Sequence, residues 1–304
     1  MITIHRYKDL DWVDVESPTP EEVRKLIDAY DIRPNVAEEL LLPSLKTRAE
    51  FYDDFIYFIL YFPVIKNHYS KNQNQEIDFI IGKKFIITTR YDLIDSVRDF
   101  SKALEITATL EKEHEINHAG FIFYFLMKKL YKTMSDEVEY ISSRMRNIED
   151  GIFKGKEKEM VMEISEMGRI LLDFKQAIEP QKDVLAILGK CMQKLFDEKF
   201  ARHIKDIISE YQRISGGIEK NREILAELRE TNNSLLSTKQ NEIMKILTIV
   251  SFIAYPLTIL SALFQMNMKH TPIIGMQNDF WIVTGSMFIV AVLFFLYFKF
   301  KKWL

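Results

Sequence analysis

Residues 241, 244, 248, 251, 255, 258, 262 and 265 recur at alternating intervals of three and four, a spacing that lines one face of an α-helix. They are Asn241, Met244, Thr248, Ser251, Tyr255, Thr258, Ala262 and Gln265. Hydroxyls and carboxamides of this kind break no covalent bonds. They hydrogen-bond water, or the water shell of an ion. The other faces carry Ile243, Ile246, Ile249, Val250, Phe252, Ile253, Leu257, Ile259 and Leu260, with Ser261 at the edge of the stripe. Such a stripe either packs on another helix, because Ser, Thr and Ala permit close approach, or faces water. Bulky Met244 and Tyr255 favour water, and so do the two carboxamides, Gln265 and Asn267, that close the uncharged run.

A second constellation offers different chemistry. "HEINH" at His114 to His118 fits the H-E-x-x-H pattern of zinc metalloproteases, with Glu115 as base and Glu137 or Glu139 as third ligand. The pattern is short, and its surroundings, "LEKEHEINHAGF", read equally as a solvated turn entering a helix.

The elements that must position these residues follow from charge and hydropathy. No charged residue stands between Ile246 and Met268, or between Phe280 and Phe298. Each run is long enough, at about 1.5 Å per residue, to cross a hydrocarbon core roughly 30 Å thick. The mean hydropathy of -0.10 conceals them, because the preceding residues are rich in charge. Of 41 basic and 44 acidic residues, four lysines and one aspartate lie beyond Lys245, leaving 37 basic against 43 acidic before it. That balance argues against a nucleic-acid partner and mildly for cations. The lone Cys191 excludes a disulfide framework or a thiolate metal cluster within one chain.

Lys239 and Lys245 precede the first run and Lys299, Lys301 and Lys302 follow the second, so the positive-inside rule places both termini in the cytoplasm. The opening "MITIHRYKDLDW" has early charges and no apolar h-region, so no signal peptide is expected. Two spans cannot enclose a pore. A stripe that lines one requires several copies around a common axis.

The first hundred residues predict a mixed α/β body. Thr19, Pro20 and Glu22 form a helix-start signature, and "EFYDDFIYFILYF" and "EIDFIIGKKFIITTR" read as hairpins turning near Asp53-Asp54 and Gly82-Lys83. From Tyr91 to Lys245 the periodicity is helical, with a turn at "DGIFKGK", a helix start or bend at Pro180, and a hinge or a tight contact at Gly216-Gly217. The expected organisation is a cytoplasmic α/β and helical domain (1–199), a stalk helix (200–245), a first span (246–268), a short outer loop (269–279), a second span (280–298) and a basic tail (299–304).

"NEIMKILTIVSFIAYPLTILSALFQMNM", a short loop, an apolar span and the terminal "KFKKWL" resemble the CorA family of divalent-cation transporters, as does "GRILLDFKQAIEPQKDVLAIL" upstream. The resemblance implies an α+β fold: a homopentameric funnel of cytoplasmic α/β domains, with long stalk helices and two C-terminal transmembrane helices. It places the outer-mouth signature, Tyr-Gly-Met-Asn in the family, on Phe264, Gln265, Met266 and Asn267. Gate positions fall on Met244, Leu247 and Tyr255, polar pore positions on Asn241 and Thr258, and a regulatory cation ligand between subunits on Asp206.

Asn267 would then hold a hydrated Mg²⁺ through its waters. Gln265 replaces a glycine that tolerates positive φ and close approach, so Zn²⁺, Co²⁺ or Ni²⁺ remain open beside Mg²⁺. The implied cargo is a divalent cation, with no resident cofactor. A membrane-anchored sensor or scaffold without flux shares every feature except the polar stripe, and Asp206 reads equally as an ordinary exposed stalk charge.

Overall fold

The computed structural model describes residues 1–44, 46–63, 74–92, 94–110, 118–198, 200–266, 278–301 and 303. The chain divides into two compact units, Met1–Arg229 and Glu230–Leu304.

The first unit is built on six strands: β1 (Ile2–Tyr7), β2 (Leu10–Glu16), β3 (Arg48–Phe51), β4 (Phe55–Pro63), β5 (Asn74–Gly82) and β6 (Phe85–Arg90). They lie in the order β1-β2-β6-β5-β4-β3, with only β2 and β6 parallel. Both expected hairpins are present, β3–β4 and β5–β6. A third, β1–β2, turns at Lys8 with φ 53° and carries less sequence signal, because Asp14 and Glu16 stand where a strand ordinarily alternates with apolar residues. Arg90 explains them. Its guanidinium reaches Asp14 Oδ2 at 3.1 Å and Glu16 Oε2 at 2.9 Å, while Trp12 Nε1 donates to Thr88 Oγ1 (3.0 Å) and Thr88 Oγ1 to Asp14 Oδ1 (2.8 Å). Every member of this buried network has a partner, as polar groups in a low dielectric require.

One face of the sheet packs on α1 (Pro20–Tyr30) and α2 (Pro34–Glu39), joining Val13, Val15, Tyr57, Ile59, Ile80 and Ile87 to Val23, Leu26, Val36 and Leu40. The Thr19 signature folds as expected: Glu22 N–H donates to Thr19 Oγ1 and Thr19 N–H to Glu22 Oε2. The other face meets α3 (Asp95–Leu110) and α4 (Ala119–Phe153), where Phe58 stacks on Phe79 at 4.9 Å and Phe123 meets both rings edge-on.

Helix α5 (Glu157–Ile178) returns after a turn at Lys154–Lys156, where Gly155 adopts φ 84°, a left-handed conformation that favours glycine. Helix α6 (Gln181–Leu195) begins after Pro180. Gln181, fully buried, accepts from Tyr131 Oη (2.7 Å) and donates to the Tyr61 carbonyl (2.6 Å), tying α4, α6 and β4 together.

Helix α7 runs from Ala201 to Gln265 and contributes to both units. Within the first unit it buries Ile204, Ile207, Tyr211, Ile214, Ile218 and Leu225. The helix continues through Gly216 and Gly217, so no break separates it there. A Cβ on Gly217 would stand 2.9 Å from Val138 Cγ1, whereas none on Gly216 would meet an atom within 4 Å. Gly217 is the tight helix contact.

The second unit holds the rest of α7 and α8 (Asp279–Phe300), the two helices long and apolar enough to cross a membrane among the described residues.

Candidate ion pathway on the first apolar helix

From Ile249 to Gln265 the half-buried positions of α7 are Ile253, Pro256, Leu257, Leu260, Ser261 and Phe264, with Ile249 buried. On α8 they are Val283, Ser286, Met287, Val290, Ala291 and Phe294, with Phe298 buried. Each set repeats at three and four, and Phe252 meets Phe298 with ring centroids 6.2 Å apart, so the two helices cover each other along these faces.

The polar stripe lies on the opposite side of α7, roughly 150° around the helix at 100° per residue. Asn241, Ser251, Thr258, Ala262 and Gln265 are exposed, Thr248 is half-buried, and Met244 and Tyr255 are 56% and 71% exposed. Leu247 sits at the stripe's edge, 55% exposed. Within this pair of helices, therefore, the hydroxyls do not serve packing.

Three of the stripe's four hydroxyls are locally satisfied as donors. Thr248 Oγ1 donates to the Met244 carbonyl (2.7 Å), Ser251 Oγ to Leu247 (2.8 Å) and Thr258 Oγ1 to Ala254 (2.9 Å). This four-residue back-bonding fixes each rotamer and leaves oxygen lone pairs outward. Pro256, on the covered side, has no N–H and so leaves the Phe252 carbonyl without its helical donor.

Gln265 is the last residue of α7, and the helix tightens behind it, with Met266 N–H donating to the Leu263 carbonyl at 3.3 Å. Asn267 lies outside the described residues. Asp206 stands on an exposed face of α7 in the first unit, one turn before Glu210. Together they line a 190 Å³ cleft with Tyr124, Lys128 and Ser209, and the Lys128 ammonium sits 5.7 Å over the Tyr124 ring.

His114 and Glu115 lie outside the described residues, Glu139 is exposed and Glu137 is buried. His118 precedes α4 with its ring stacked on Phe196 at 4.2 Å and edge-on to Phe200 at 4.9 Å, and burial lowers its pKa. Among the described residues no three His, Cys, Asp or Glu side chains are grouped to hold a metal.

Residues 7–302 match the family described as CorA-like Mg²⁺ transporter protein. This chain belongs to the CorA family. Its relatives include the cobalt/magnesium transport protein CorA of Thermotoga maritima, 23% identical over 99% of this chain and 90% of that protein. The cobalt/magnesium transport protein CorA of Methanocaldococcus jannaschii is 22% identical, over 96% and 91%.

Among solved structures, the complete CorA magnesium transporter from M. jannaschii superposes with a TM-score of 0.83 at 21% identity, covering 97% of this chain and 92% of that one. The full-length CmaX protein gives 0.74 at 16% identity, over 97% and 89%. These likenesses establish the α+β fold with its long helix and two apolar helices. CorA proteins are membrane transporters and not enzymes, which removes the protease reading of His118.

Proposed function

We propose that this CorA-family protein conducts a divalent cation, Mg²⁺ first among the candidates, along the polar stripe of α7. The observation that carries the reading is the position of that stripe: exposed hydroxyl oxygens on the side of α7 turned away from α8. One chain offers a single wall. Five copies around an axis, each supplying α7, would close a path while α8 faces lipid.

Mg²⁺ dehydrates reluctantly, so outward lone pairs at Thr248, Ser251 and Thr258 suit the protons of its water shell better than they suit the bare ion. Asn267, with Gln265 one turn-fraction before it, would form the outer mouth; Asn241 would stand at the inner end. Met244, Leu247 and Tyr255 are large exposed groups on or beside the stripe, and a ring of them would close by expelling water. Asp206 would bind a regulatory cation between neighbouring subunits. Both termini would lie in the cytoplasm, with the protein in the cell membrane.

The test is flux into liposomes loaded with a divalent-sensitive dye. Mg²⁺ entry that rises when Tyr255 is replaced by Ala would support both pathway and gate. Absence of flux for Mg²⁺, Co²⁺, Ni²⁺ and Zn²⁺ would sink the reading and leave a membrane-anchored scaffold. A Gln265→Gly variant that changes the ion order would place selectivity at the mouth, and an unchanged order would remove Gln265 from it.

A further inference from the structure

At one end of the sheet, the face that packs on α1 and α2 turns polar. Tyr61 of β4 stands directly opposite Glu76 of β5, and Asp78, two residues along on the same side, stands opposite Thr89 of β6. Tyr61 and Glu76 open on a cleft of about 550 Å³ that Ser44, Lys46, Tyr91 and Asp92 also line. Glu76 Oε1 accepts the Ser44 N–H at 2.7 Å and Oε2 the Tyr61 hydroxyl at 2.6 Å. Tyr91 Oη stands 3.3 Å from Asp78 Oδ2, 3.1 Å from the Leu42 carbonyl and 3.2 Å from the Leu40 carbonyl, so its single proton serves only one of these acceptors at a time.

Two oxygens in this cluster have no hydrogen-bond partner among the described residues. They are Asp78 Oδ1 and Thr89 Oγ1, both on side chains 1% exposed. An orphaned carboxylate oxygen at that depth is costly unless something fills its coordination. Arg48 forms ion pairs with Glu39 and Glu50, and its attraction is the weakest of the influences acting on the Asp78 carboxyl. Carboxyl, hydroxyl and carbonyl oxygens in one place form a hard-cation donor set.

We propose that Glu76 and Asp78, with the Tyr61 and Tyr91 hydroxyls behind them, form a divalent-cation site in the α/β unit, separate from the α7 stripe and from Asp206. Its existence does not depend on the transport reading. Burial first, then the facing Glu76 carboxylate, pushes the Asp78 carboxyl well above its ordinary range, so protons compete with the cation for this pair. The groups facing Asp78 are Glu76 on its own strand, Arg48 on β3, Tyr57 and Tyr61 on β4, and Tyr91 beyond β6. Lys46, exposed at the rim, is a cation that could compete.

The experiment titrates chelator-stripped full-length protein in detergent with Mn²⁺, reading free ion by electron paramagnetic resonance. A class of bound Mn²⁺ that disappears in Glu76→Gln/Asp78→Asn, persists in Asp206→Asn and in Asn267→Ala, and tightens from mildly acidic to neutral pH supports the site. Tyr91→Phe, which removes an outer hydrogen bond to Asp78, weakens it about tenfold. If the double variant does not fold by circular dichroism, the isosteric Asp78→Asn alone serves the same comparison.

Unchanged Mn²⁺ affinity and stoichiometry in a folded variant overturns the proposal. So does Mn²⁺ binding at these residues only in Lys46→Met, which would make the Lys46 ammonium the native occupant. Flux is measured separately, so a protein that conducts without this site, or binds here without conducting, tells the two readings apart.

Discussion

In the β2–β6 pair, Asp14, Glu16, Thr88, Arg90 and Trp12 spend their hydrogen-bonding capacity on one another, whereas along α7 Thr248, Ser251 and Thr258 bond only to their own backbone and leave a face exposed. Both regions place polar side chains in segments that otherwise read as apolar. The difference is closure. A network with every partner inside holds the sheet together and contributes little elsewhere; a row satisfied by its own helix costs the fold little and stays free to meet something else. Removing a residue from the first should therefore register as lost stability, and from the second as lost function.

The largest expected effect is at the closed network. Arg90→Leu strands Asp14 in a buried position and should destabilise the first unit by about 3–5 kcal/mol, read by chemical denaturation. A loss below about 1 kcal/mol would mean that the network is not closed. Next come the adjacent glycines of α7, one packed and one open. Gly216→Ala should stabilise by about 0.5–1 kcal/mol through helix propensity, while Gly217→Ala, forced against Val138, should fall below it by about 1–2 kcal/mol. Equal midpoints for the two would remove Gly217 as a contact.

On the open face, Thr258→Val keeps the side-chain shape and removes the outward oxygen. Denaturation should change by less than about 0.5 kcal/mol, while flux should drop about fivefold, the equivalent of one hydrogen bond. Thr284→Val on α8 is the control, with neither quantity moving. The smallest effect is pH-dependent. His118 has a depressed pKa because its ring is half-buried beside Phe196 and Phe200, an effect opposed by Asp197 and reinforced by His203. Its contribution to stability is complete above the ordinary histidine value of about 6.5 and is lost as pH falls through the lower folded value. The denaturation midpoint of the wild type should decline below that pH more steeply than that of His118→Phe; parallel profiles would exclude the histidine.

How much of this was readable in advance depends on whether the signal is local. The Thr19–Glu22 cap, the hairpin turns at Asp53-Asp54 and Gly82-Lys83, the helical turn at Gly155 and the stripe itself each follow from spacing within a few residues, and each is found where expected. The β1–β2 hairpin was harder to see, because the partner that makes Asp14 tolerable inside a strand, Arg90, lies 76 residues away. The Glu76–Asp78 cluster was invisible for the same reason: Ser44, Tyr61, Thr89 and Tyr91 converge only through sheet register. Gly216-Gly217 offered no way to tell hinge from contact, since the decision rests with Val138 on another helix.

The back-bonded hydroxyls of α7 carry one more consequence. Each has committed its proton inward, so at Thr248, Ser251 and Thr258 the side-chain dipoles turn their negative ends outward without a single carboxylate among them. On the proposed pathway an ion would be sorted by sign before it is sorted by size. Anions would be repelled by fixed dipoles, and because those hydroxyls do not titrate near neutrality, acidification would leave the discrimination in place.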